Sequence, residues 1–129
     1  MRIVHLSPGW PPNLMRNGIV SSLGVLAPAL RAQGCEVCIL AMAGSTRADD
    51  DDVVYLDEAA PAPRGLAAAL RTRFSPRWHV YDAPPQRILR ALAQVSPPAD
   101  LIYMEESFGW YADVANRSTR PVVVGLRGP

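Results

Sequence analysis

At 129 residues the chain is long enough to bury one core and too short for the two domains that many α/β enzymes need. Apolar residues make up 49% and charged residues 19%, a globular balance, and a formal charge of +1 with no dense basic cluster argues against nucleic acid as the main partner. All thirteen cationic side chains are arginine, so chemistry that needs a lysine (a P-loop, an internal Schiff base, a kinase-type phosphate contact) is excluded for this chain acting alone.

No apolar run approaches the roughly 20 residues of a membrane-spanning helix, and the N-terminus lacks the layout of a signal peptide, so a cytoplasmic protein is expected. The first element is a strand over Arg2–Leu6, in which Ile3, Val4 and Leu6 leave almost no polar face, as in a strand covered on both sides. His5 interrupts it and is read as a hydrogen-bonded packing residue. A loop rich in proline and glycine follows, Ser7–Asn17. It places Trp10 and Arg16 beside the sheet edge at which open α/β folds bind ligands.

A helix is expected from about Gly18 to Ala32, with Ile19, Leu23, Leu26 and Leu30 as its buried stripe. Pro28 removes one hydrogen bond and presses on the carbonyl of Gly24, which predicts a kink or a helix in two pieces. Gly34 ends the helix, and Glu36–Leu40 forms the second strand. Cys35 and Cys38 spell Cys-x-x-Cys, but residues three apart in a strand point to opposite faces, so they are read as two packing side chains rather than a redox or metal pair.

Asp49 to Asp52 read as a solvated loop, since adjacent carboxylates in an irregular run seldom converge on one ion; no metal site is expected. Val53–Leu56 is a third short strand, and Gly65–Arg73 an alanine-rich helical segment. His79 and Asp82, in a loop with Trp78 and Tyr81 packed inward, are read as a structural contact. A helix beginning at Pro85 buries Ile88, Leu89, Leu92 and Val95 and stops at Pro97-Pro98. Asp100–Met104 is a fourth strand, and the carboxylates after it, Glu105 and Glu106, stand where binding groups collect; at most one of them faces the cleft. Trp110–Arg117 is a short helix and Pro121–Leu126 a fifth strand. The sum is an α/β domain: a Rossmann-like parallel sheet of about five strands with helices on both faces.

The segments MRIVHLSPGWPP, NGIVSSLGVLAPALRAQGCEV and DLIYMEESFGWYADVANRSTRPVVVGLRGP, in that order, resemble the N-terminal domain of retaining glycosyltransferases of the B-type fold. That family has a Gly-Gly pair at the start of its first helix, where this chain has Asn17-Gly18. Its small-Gly-His-Glu-Val segment is matched by Gln33 to Val37, and its Asp-hydrophobic-hydrophobic-His strand by Asp100 to Tyr103. Its Pro-Val-Val-x-x-His-Gly stretch is matched by Pro121 to Gly128, with Arg127 at the histidine position.

The resemblance implies a single acceptor-side domain over residues 1–129, with no separate cofactor but a nucleotide-sugar co-substrate, and a sugar, glycan or lipid acceptor. Donor phosphates would approach at Asn17 and Gly18, because glycine does not obstruct the backbone and the helix N-terminus favours negative charge. Trp10, Arg16, Glu105, Glu106, Arg127 and Gly128 would lie on the cleft or acceptor side. The family's second, nucleotide-holding domain has no room in 129 residues, so the isolated chain is expected to be catalytically incomplete, and an open sheet edge favours a homodimer. The competing readings are a non-catalytic binding module of the same fold and an NAD-type oxidoreductase. The second is disfavoured because the loop after the first strand lacks Gly-x-Gly-x-x-Gly.

Overall fold

The computed structural model describes residues 1–15, 17–42, 52–56, 85–105 and 110–126. Five strands and three helices follow one another as β1 (Arg2–Ser7), α1 (Gly18–Ala32), β2 (Glu36–Ala41), β3 (Val53–Tyr55), α2 (Pro85–Gln94), β4 (Leu101–Glu105), α3 (Trp110–Arg117) and β5 (Val122–Gly125). Every strand pairing is parallel, in the spatial order β3-β2-β1-β4-β5. The expected Rossmann-like α/β sheet is therefore present, and no helix among the described residues is long and apolar enough to cross a membrane.

The register separates two apolar layers. Val4 and Leu6 of β1, Cys38 and Leu40 of β2, and Ile102 and Met104 of β4 pack with Ile88 and Ala91 of α2 and Val114 of α3. On the other face Val37, Ile39 and Ala41 of β2 and Tyr55 of β3 pack with Val20, Leu23 and Ala27 of α1 and with Trp10. Because β1 and β2 are covered on both faces, their sequences carry almost no polar alternation. Cys38 belongs to the first layer; Cys35, expected in the same strand, stands just before β2, half-buried against the second layer, so the two free thiols lie on opposite sides. Burial raises the Cys38 thiol above its ordinary value, Asp52 adding to the rise while Arg2 and Arg31 oppose it, which keeps it protonated and unreactive.

At the N-terminal edge of the sheet Arg2 ties three strands together. Its guanidinium meets Glu36 of β2 at 3.0 Å, and its backbone N–H donates to the Asp100 carboxylate at 2.7 Å, just before β4. The guanidinium also donates to the Ser96 carbonyl at 3.4 Å.

Two expectations for α1 are corrected. Of the two outcomes expected at Pro28, a kink or a division, the division is absent: α1 runs unbroken from Gly18 to Ala32 with Pro28 inside it. The residues beyond the proline are anchored independently: Arg31 donates to the Val37 carbonyl at 3.1 Å and pairs with Asp52 at 3.2 Å. A Schellman closure completes the end, with Gly34 N–H to Arg31 O at 2.9 Å, Cys35 N–H to Leu30 O at 3.1 Å, and Gly34 at φ +80°. These contacts offset the ~3 kcal/mol that a helical proline typically costs.

The buried stripe is also rotated. Val20, Leu23 and Ala27 face the sheet, with Leu30 packed beside them, whereas Ile19 and Leu26 are only half-buried. Reading by side-chain size missed this because small residues let the helix come close. At Gly24 a Cβ would lie 2.6 Å from Pro12 Cγ, so the loop after β1 rests directly on the helix backbone. Gly24→Ala is consequently expected to destabilise the protein by about 1–2 kcal/mol in urea unfolding, despite alanine's advantage of about 1 kcal/mol in a free helix. A stabilised variant would show that Pro12 does not press on α1.

Candidate functional site

The strand order reverses direction between β1 and β4: the chain leaves β1 toward β2 on one side and later leaves β4 toward β5 on the other. In a parallel sheet this switch opens a crevice at the carboxyl ends of the two strands. The groups presented there come from the loop after β1, the head of α1 and the ends of β4 and β5.

The loop is folded onto the protein. Ser7 Oγ donates to the Gly9 carbonyl at 2.6 Å, and the Pro11 carbonyl accepts from both Leu14 N–H and Met15 N–H at 3.2 Å. Trp10 is only 7% exposed and packs among Val20 and Leu23, so its indole acts as a wedge between loop and helix and leaves little surface for a ligand. Arg16, Glu106, Arg127 and Gly128, like His79 and Asp82, lie outside the described residues.

Asn17 sits in extended backbone and caps α1, its side-chain oxygen accepting from Ile19 N–H at 2.8 Å. The first turn of a helix has no internal acceptors for its N–H groups; the cap takes one, and those of Gly18 and Val20 have none within the helix. Gly18 is exposed, and nothing lies within 4 Å of where its Cβ would stand. Asn17→Ala should cost about 1 kcal/mol in urea or thermal unfolding, as loss of a cap usually does; an unchanged midpoint would remove Asn17 from this role.

Across the switch a second group of side chains converges. His5 of β1 is in register with Tyr103 of β4, and their rings stand 4.4 Å apart at a tilt of 34°. Tyr103 and Glu105 share one face of β4, being two residues apart, and both reach over Gly125 of β5. A Cβ at position 125 would collide with the Tyr103 hydroxyl and stand 3.1 Å from Glu105 Oε2. This face of the sheet is the one that α1 covers over β2 and β3. Farther out, Tyr103 and Glu105 are half-buried and Val123 is 44% exposed.

His5 differs from its expected role in one respect: it packs, at 3% exposure, but its Nε2 is buried with no hydrogen-bond partner. Burial pushes the imidazole down to about 4, against a smaller upward pull from the Glu105 carboxylate, so the ring is neutral at pH 7. Sequence reasoning passed over Tyr103 and Gly125 as site residues. The available signal was the alternation in β4, where Leu101, Tyr103 and Glu105 face one way and the apolar pair Ile102 and Met104 the other. Among the described residues, no three His, Cys, Asp or Glu side chains are grouped as a metal ion would require.

Fold and site together define an α/β protein with a parallel sheet whose order switches between β1 and β4, with an exposed helix head on one side of the switch and Tyr103 and Glu105 on the other. Comparison of the chain with protein-family models, with curated proteins and with solved structures finds no match to any of them.

Proposed function

We propose that this chain forms the acceptor-side wall of a B-type glycosyltransferase, with the phosphates of a nucleotide-sugar donor approaching the head of α1. The observation that carries the reading is Gly18. Neither left-handed backbone nor close packing calls for glycine at this position, since no positive φ is found there and the space around it is open. What glycine supplies is unobstructed access to first-turn N–H groups, on a helix end whose dipole favours an anion.

The order of motifs shared with that family supports the same reading, as does the switch-point crevice. In it Glu105 and the Tyr103 hydroxyl form a polar floor suited to the hydroxyls of a sugar acceptor. The two unpaired cysteines suit a reducing compartment, in keeping with a cytoplasmic enzyme. Calorimetric titration with a panel of nucleotide sugars tests the proposal. Saturable heat with at least one of them, competed by its nucleoside diphosphate, is expected; a folded sample giving no heat with any would overturn it.

A further inference from the structure

At the opposite edge of the sheet from the crevice, a cavity of about 360 Å³ lies between the C-terminal ends of α2 and α3, beside the start of β4. We infer that it binds a small amphipathic anion, a short aliphatic chain ending in a carboxylate. Its inner wall is aliphatic: Leu89 and Leu92 of α2 face Ile102 of β4, with no aromatic or charged group between them. Such a lining gains nothing from a polar ligand and favours removal of a hydrocarbon chain from water. The volume lies near the lower end of the ~300–1,000 Å³ typical of small-molecule pockets, which suits a short chain rather than a membrane lipid.

The wet side is cationic. Arg117 and Arg120 line it, with Ser118 and Thr119 between them. Ser118 is engaged with its own turn, its Oγ donating to Arg120 O and accepting from Arg120 N–H, both at 3.0 Å, and this holds Arg120 at the rim. Arg117 meets Asp113 only at 3.9 Å, in a pair more than half exposed, and Arg120 has no acidic partner among the described residues. The carbonyl ends of α2 and α3 reach the same edge with about half a negative charge each, and Asp113 offsets part of the Arg117 charge, which leaves Arg120 as the cation best placed to meet an anion. Its guanidinium can grip a carboxylate with paired hydrogen bonds. None of these residues belongs to the crevice, so the inference stands apart from the glycosyltransferase reading.

Octanoate, octanol and inorganic phosphate titrated into uniformly ¹⁵N-labelled protein separate the contributions of tail and charge. Octanoate should give saturable amide shifts centred on residues 89–93 and 117–120, with octanol at least tenfold weaker and phosphate without effect at the same concentrations. Arg120→Gln, at an exposed position, should weaken octanoate at least fivefold and leave octanol unchanged, while Ala93→Trp should fill the cavity and abolish both. Absence of saturable shifts, shifts mapping elsewhere, octanol binding as tightly as octanoate, or phosphate binding as well as octanoate would each overturn the inference.

Discussion

Acidification from pH 7 toward pH 4 is expected to remove about 3 kcal/mol of stability through His5 alone, and the variant His5→Phe should lack that share of the loss. The folded protein holds the imidazole neutral with its pKa near 4, whereas the unfolded chain titrates near 6.5. Between those values the unfolded state binds the proton and the native state does not. Stability is therefore complete above pH 6.5, falls as the pH drops through the window, and loses nothing further from this residue below about 4. Phenylalanine keeps a ring against Tyr103 and removes both the titration and the unpartnered Nε2, whose burial costs about 1–3 kcal/mol. Urea unfolding of both proteins at intervals from pH 7.5 to 3.5 reads the difference. Parallel stability curves would show that His5 is solvated or already charged.

Gly18→Val should weaken donor binding at least tenfold, or about 1.4 kcal/mol, while changing unfolding stability by no more than about 0.5 kcal/mol. The two halves of this expectation have separate causes. Space around position 18 is open, so a branched side chain meets nothing in the protein, and Asn17 still caps the helix through Ile19 N–H. The same side chain would stand in front of the first-turn N–H groups that an incoming phosphate needs. Equal donor affinity in the variant and the parent would mean that the anion does not come to this turn; a large drop in melting temperature would mean that Gly18 is needed for folding instead.

Much of the framework was legible in the sequence because it is written in local rules. Gly34 after Gln33 marks the end of α1, the continuous apolar runs mark β1 and β2 as central strands, and Trp110–Arg117 emerges at its expected bounds. What local rules could not give was contact across the fold. The face of α1 was misassigned because Gly24 and Ala27 count for little on a hydrophobicity scale, yet their smallness is what lets Pro12 and the sheet approach. That α1 would run unbroken past Pro28 was not legible either, because the contacts of Arg31 with Val37 and Asp52, which hold the helix beyond it, join distant parts of the chain.

The site divides in the same way. Strand-to-helix order pointed to the loop that carries Trp10 and Arg16, whereas Asn17 and Gly18 came only from the family resemblance. The packing of His5 on Tyr103, and the reach of Tyr103 and Glu105 over Gly125, depend on the β1–β4 and β4–β5 registers, the first of which joins residues nearly a hundred positions apart. Trp10, chosen as a cleft residue for its position in the loop, turns inward because its large ring fills the gap between loop and α1.

The most direct measurement is a map of backbone amide shifts as a nucleotide sugar, identified from the calorimetric panel, is added to ¹⁵N-labelled protein. The largest saturable changes are expected on Gly18, Ile19 and Val20, and the corresponding nucleoside diphosphate should reproduce them. Saturation of the protein with those three amides unmoved would contradict that expectation.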